Sequence, residues 1–157
     1  MSTRHIYYFP RLNHIFLFLL LRTWLMSTTC AQEIVVKDIP SLEKLPVKAI
    51  HRIFQDSDGY IWYGTFNGLC RDDGYDVRVF RSDLFHYGLL KDNYITYINE
   101  DHEKHIWFGT FKGAYMLDKA TYRITPVNME ELSDKNVFSI NVTKDGTLWV
   151  SAAGALF

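Results

Sequence analysis

His102 and His105 flank Glu103 and Lys104, the one place in the sequence where two imidazoles stand close enough to suggest a shared metal ion. A zinc-peptidase helix carries His-Glu-x-x-His, which puts both rings one turn apart on the same face. The spacing here is shorter, and the surrounding residues read as a hairpin turn, so a solvated turn is expected. Asp56, Asp58, Asp101 and Asp145 offer carboxylates of the kind calcium prefers. The liganding pattern and closing glutamate of a calcium loop are missing around all four, and turn formation is their expected role. The sequence has no glycine-rich phosphate loop and no nucleophile elbow. Catalytic, cofactor-binding and metal-binding residues are therefore all expected to be none. Two stretches have the composition of a ligand face: Asp72-Asp73-Gly74-Tyr75 and Phe85-His86-Tyr87, where rings could stack on sugars while acids hydrogen-bond hydroxyls. Asn141-Val142-Thr143 is a formal glycosylation triplet.

The elements that would position these residues follow from an internal repeat. Asp56-Ser57-Asp58-Gly59-Tyr60-Ile61-Trp62-Tyr63-Gly64-Thr65-Phe66-Asn67-Gly68-Leu69 recurs as Asp101 to Ala114, with Trp107, Gly109 and Gly113 in the equivalent places. A weaker copy runs from Thr143 to Gly154 and keeps Asp145, Gly146 and Trp149. Trp62 and Trp107 are 45 residues apart, and Trp107 and Trp149 are 42 apart. That period is the size of one propeller blade. Within the first unit, Ile50 to Phe54 reads as a strand, Asp56 to Gly59 as a tight turn and Ile61 to Thr65 as the return strand. Gly68 opens a third strand, Asp73-Gly74 turns the chain, and Val77 to Phe80 alternates as a fourth. The expected fold is all-β, an incomplete propeller of four-stranded antiparallel blades. The recurring tryptophans are expected between neighbouring blades, and Gly64 and Gly109 at points of close packing or bending.

Ahead of the repeats, the first 32 residues contain Arg4, Arg11 and Arg22 and no acid. A basic start, the apolar run Ile15 to Leu21 and the small residues Ser27 to Ala31 have the layout of a signal peptide. The apolar run is short for a bilayer span, which takes about 20 residues; Arg22 keeps an uncleaved anchor as the lesser reading. Ser27-Thr28-Thr29 poorly suits lipidation of Cys30. The whole chain of 157 residues has a formal net charge of −1, and the part after the leader is mildly acidic. Neither supplies the basic stripe of a nucleic-acid-binding protein. Two cysteines do not make a disulfide framework, so Cys70 is expected as a small packed side chain. The division that results is a leader over 1–32, a linker or first strand over 33–46, and repeats over 47–157. The units are 47–91, 92–133 and an incomplete 134–157.

The motif Asp-x-Asp-Gly-x-Ile-Trp-x-Gly-Thr-x-x-Gly-Leu, as it stands at Asp56 to Leu69, resembles the two-component regulator propeller repeat. The second unit departs at Lys104, which replaces the turn glycine, and the third at Ser151, which stands where Gly64 stood. A sialidase-type Asp-box is the runner-up; it places one residue between acid and glycine, whereas Asp58-Gly59 and Asp145-Gly146 are adjacent. The resemblance implies the periplasmic sensor of a bacterial hybrid two-component histidine kinase and response regulator. It further implies an oligosaccharide ligand in the intact receptor, further propeller blades, a homodimer partner and an inner-membrane location for the full protein. Nothing in these residues resembles kinase, receiver or nucleotide-binding machinery, so no enzymatic activity is expected of this chain.

Three other readings compete with the sensor: an exported propeller enzyme acting on glycans, a plain protein-interaction scaffold, and a truncated product without activity of its own. The Ala155-Leu156-Phe157 end falls within an expected strand, and residues 33–157 alone are expected to be poorly soluble because blade faces and a strand edge stay open.

Overall fold

The computed structural model describes residues 39–85 and 88–157. The leader, Cys30 and the His86-Tyr87 pair lie outside the described residues. Three antiparallel sheets follow one another along the chain. The first contains β1 (Ile50–Gln55), β2 (Ile61–Thr65), β3 (Gly68–Asp72) and β4 (Val77–Phe80), in that spatial order. The second repeats the order with β5 (Ile95–Glu100), β6 (Ile106–Thr110), β7 (Gly113–Leu117) and β8 (Ile124–Pro126). The third has β9 (Val137–Val142), β10 (Leu148–Ala152) and the two-residue β11 (Ala155–Leu156). Each is an up-and-down meander, and together they form blades of a β-propeller. Residues 40–44, which the sequence left as linker or first strand, form a 3₁₀ turn.

The hairpins close where the turn chemistry demands. Asp56 Oδ1 accepts the backbone N–H groups of Asp58 and Tyr60, both at 3.0 Å, so the carboxylate itself folds the chain back between β1 and β2. Asp101 repeats this in the second blade, accepting from the N–H groups of Glu103 and His105. Gly59 and Gly146 complete their turns at φ +89° and +86°. Lys104 takes the same left-handed conformation at φ +68°, a position that costs a side-chain-bearing residue energy. Its amine is used in return, donating to Asp58 of the first blade.

Alternation along each strand sorts side chains between two faces. Trp62, Leu69 and Phe80 leave the first blade on one face and join Ile95, Ile98, Ile106, Phe108, Tyr115 and Leu117 of the second in a shared core. Tyr63 and Cys70 leave on the other face and pack with Leu45, which the 3₁₀ turn brings over them. The second blade repeats the rule: Ile106 and Phe108 face backwards, while Trp107 and Ala114 face forwards onto Val137, Ile140 and Val150 of the third. The first and second blades thus each pack the tryptophan face against the first strand of the blade that follows. Side-chain bonds reinforce this stacking, with Arg52 Nε donating to the Thr96 carbonyl at 2.7 Å and Thr96 Oγ1 donating to the Val137 carbonyl.

This directionality corrects the expectation that all three tryptophans are sandwiched. Trp62 is fully buried and Trp107 half-buried, but Trp149 is 46% exposed. Among the described residues no strand lies against the forward face of the third blade. The same rule leaves Ile53 69% exposed, although its equivalents Ile98 and Ile140 are buried, because it looks backwards from the first blade.

Cys70 is wholly buried, and burial pushes its thiol up to about 12. It should therefore resist alkylation at pH 8 in the folded chain and react only after denaturation. Peptide mapping after iodoacetamide treatment reads this directly, and rapid labelling of Cys70 under native conditions would contradict the packing.

Candidate functional site

The antiparallel order places the β1–β2, β3–β4, β5–β6, β7–β8 and β9–β10 turns at one end of the blades. The β2–β3 and β6–β7 turns and the segments joining successive blades lie at the other. Chemistry-bearing side chains cluster at both ends.

At the first end, Asp56, Asp58 and Glu100 bring carboxylate oxygens within 4.8 Å of one another. The group already has its cation. Lys119, from the loop after β7, places its ammonium 3.3 Å from Asp56 Oδ2 and 2.6 Å from Asp58 Oδ2, and donates also to Glu100. Burial works against the Lys119 charge, but hydrogen bonds to Asp58, Glu100 and Asp56 outweigh it and raise its pKa. Glu100 additionally accepts from the Ser57 N–H and hydroxyl. The result is an ionic clasp between the first two blades, and the lysine fills the place a divalent ion would need. Asp56 Oδ2 also accepts from the Trp62 indole at 2.8 Å, and Asp101 Oδ2 does the same for Trp107. Asp145 is exposed and serves its own turn, accepting from Thr147 N–H and Thr143 Oγ1. His105 Nδ1 lies 3.0 Å from Asp101 Oδ2, and His102 is exposed. These two rings converge on no common point.

Hydrogen bonds from Lys104 and then Lys119 hold the Asp58 carboxyl down at about 2. Asp73, Asp76, Asp118 and Asp145 are lowered as well, chiefly by hydrogen bonds from their own turns or from Lys44. Burial opposes ionisation of Asp101, yet bonds from Trp107 and His105 outweigh it and lower that pKa too. Carboxylates lowered in the folded state bind protons more readily when unfolded, so stability is intact above the unfolded value near 3.8 and drains away as pH falls toward about 2. Urea midpoints measured between pH 6 and pH 2 should be level at first and then fall steeply below about pH 4. A flat profile would show that the clasp and turns carry no net ionic stabilisation.

The loop Asp72-Asp73-Gly74-Tyr75 does not present the ligand face its composition suggested. Asp72 is buried and accepts from Ser41 Oγ at 2.5 Å, Tyr63 Oη at 3.2 Å and the Gly74 N–H at 2.7 Å. Burial, then the adjacent Asp72 charge, pushes the Tyr63 phenol up to about 12. Tyr75 remains 88% exposed and Phe85 91% exposed, but neither ring meets another aromatic ring among the described residues.

The other end holds a cluster that the sequence analysis did not single out. Phe66 in the β2–β3 turn, Tyr94 just before β5 and Phe111 in the β6–β7 turn form a continuous shelf. Tyr94 stacks on Phe111 with centroids 4.1 Å apart and planes 15° apart, and meets Phe66 edge-on at 4.9 Å. His51 supports the shelf, with its ring 4.8 Å from Phe66 and 4.5 Å from Tyr94. Thr65 and Thr110 fix the two turns, each donating to the carbonyl of the glycine three residues on, Gly68 and Gly113. Those glycines in turn tie to the next connecting segment, Gly68 N–H to the Asn93 carbonyl and Gly113 N–H to the Lys135 carbonyl. Gly64 and Gly109 sit in β2 and β6 at points of close packing: a Cβ at Gly64 would meet Arg52 of its own blade at 2.8 Å and Ile95 of the next at 3.2 Å, and one at Gly109 would meet Val137 of the next blade at 2.7 Å.

A stack of antiparallel blades joined through tryptophan faces defines the class, a β-propeller. Residues 44–67 and 89–112 match the family described as two component regulator propeller. No curated protein matches the sequence. Among solved structures, the chain is similar to the extracellular domain of a candidate one component system, BT4673, from B. thetaiotaomicron, with 30% identity and a TM-score of 0.57. That match covers 67% of this chain and 15% of the other. A second structure of BT4673, described as the extracellular domain of a candidate hybrid two component system, aligns at 20% identity and TM-score 0.58 over 71% of this chain and 15% of that one. The extracellular domain of BT3049, a candidate hybrid two component system from the same organism, aligns at 24% identity and TM-score 0.54 over 75% and 14%. The latter two bear on the fold alone. The chain thus spans about 15% of the length of the structures it resembles. Among the described residues, no helix is long and apolar enough to cross a membrane.

Proposed function

We propose that this chain contributes propeller blades to the extracytoplasmic sensor of a hybrid two-component system, and that it works by binding and not by catalysis. The observation that carries this reading is the tandem two-component regulator repeat, built as stacked blades like those of extracellular receptor domains. The leader-like first 32 residues support export, and a periplasmic location follows for the sensor. An oligosaccharide is the proposed ligand class. Further blades and a second receptor subunit are the proposed partners, through which ligand binding would favour one arrangement and pass a signal inward. The carboxylates support the absence of catalysis: the clustered ones are neutralised by Lys119 or spent on turns.

The test is deletion of the coding sequence in the organism that carries it, followed by growth on purified glycans with transcript profiling. Loss of the transcriptional response to one glycan, with growth on simple sugars unchanged, is expected. An unaltered response to every glycan would overturn the reading.

A further inference from the structure

The geometry points to the shelf formed by Phe66, Tyr94 and Phe111 as a binding site for a pyranose ring. This inference rests on the proposed oligosaccharide reading and gives that ligand a place on the chain. Three observations carry it.

The first is that the fold does not require these rings. The third unit has Ala153 at the equivalent turn position. Phe66 and Phe111 are 51% and 42% exposed, so they contribute little to the inter-blade core. An aromatic side chain left open to water at two successive turns, when alanine serves at the third, has a use outside packing.

The second is order. The threonine and glycine bonds that close each turn set the backbone beneath Phe66 and Phe111, and the Gly68–Asn93 bond brings Tyr94 between them. Neighbouring rings lie 4.1 to 4.9 Å apart, so the shelf is assembled in advance and little side-chain freedom remains to be lost on binding.

The third is the chemistry at its rim. An open groove of about 490 Å³ runs beside the rings and is lined by Ser82, Leu90, Lys91, Asp92 and Asn93. Ser82 and Asn93 are bonded to each other, and the Ser82 hydroxyl also to the Leu90 backbone, but one Asp92 carboxylate oxygen and the Tyr94 hydroxyl have no partner among the described residues. A wholly apolar ligand would strip water from these groups without return. A pyranose has an apolar C–H face for the rings and equatorial hydroxyls for the rim, and so satisfies both.

Calorimetric titration of the full chain with cellotetraose, xylotetraose, mannotetraose and maltotetraose, one at a time, tests the site. At least one should bind. The Phe66→Ala/Phe111→Ala variant should weaken that binding about tenfold or more, whereas Phe138→Ala, an exposed ring off the shelf, should leave it unchanged. Far-UV circular dichroism checks that the double variant keeps its sheet. Binding unaffected by the double variant, or no binding to any of the four, would overturn the inference. Introducing the double variant into the encoding organism separates this failure from that of the broader reading. A glycan response that vanishes on deletion yet survives the double variant leaves the sensor standing and removes the shelf.

Discussion

Replacing Asp56 with alanine is expected to cost about 3–5 kcal/mol of folding stability, more than any other single truncation at the turns. Its side chain is fully buried and receives four donors: the Asp58 and Tyr60 backbone N–H groups, the Trp62 indole and Lys119. Alanine strands the indole N–H inside the core shared by the first two blades. It also leaves Lys119, whose side chain is only 11% exposed, with less compensating charge. A neutral hydrogen bond removed alone would cost about 1 kcal/mol; the larger figure comes from abandoning buried donors and a buried cation together. The repeat supplies its own controls. Asp101 makes the corresponding turn and indole bonds without a lysine, so Asp101→Ala should cost about 2–3 kcal/mol. Thr143 stands at that position in the third unit and bonds only to its own turn, so Thr143→Ala should fall below about 1 kcal/mol. Urea unfolding followed by tryptophan fluorescence would rank the three. Equal losses would mean that the turn alone matters and the clasp adds nothing.

That ranking also marks the boundary of what the sequence revealed. The strands and hairpins were legible because their causes are local: an aspartate that folds its own backbone, a residue at positive φ, and alternating side chains on either side. The repeat then assigned each unit to a blade. Inter-blade features had no such local cause. Lys119 reaches an acid 63 positions earlier, and Ser41 reaches Asp72 from 31 positions away, turning inward a carboxylate that composition had suggested for a ligand. The exposure of Trp149 depends on which strand lies against it, and its residue type is the same as that of buried Trp62. The aromatic shelf was missed for the same reason. Phe66, Tyr94 and Phe111 stand on two blades, and two of them fall in positions the motif leaves unspecified. A comparison of the variable motif positions across the units would have exposed the signal, because phenylalanine occurs twice where alanine suffices.

Gly109→Val is expected to destabilise the chain by about 4 kcal/mol, and the sign of this effect decides whether blade stacking or strand preference governs the position. Gly109 lies in the middle of β6, where its conformation is open to any residue, and valine is a far better strand former than glycine. Strand preference alone would therefore favour the valine. In the stack, however, a Cβ at Gly109 would sit 2.7 Å from Val137 Cγ1 and 2.8 Å from Val137 Cβ of the next blade, besides 2.9 Å from Thr96 Oγ1 of its own. Val137 belongs to the first strand of the third blade, so relief requires the blades to part. Even Gly109→Ala should cost about 1–3 kcal/mol by overpacking. Gly68→Ala tests a different constraint, since at φ +114° its Cβ would lie 2.5 Å from the Phe80 carbonyl within the same blade. The two can be separated by trimming the neighbour. Val137→Ala removes the methyl nearest Gly109, so it should recover part of the Gly109→Ala loss in a double-mutant cycle while leaving the Gly68→Ala loss unchanged. Additivity in the first pair would place the Gly109 effect within its own sheet. Coupling there would locate it at the junction between blades, where the Trp107-bearing face of the second blade meets the first strand of the third.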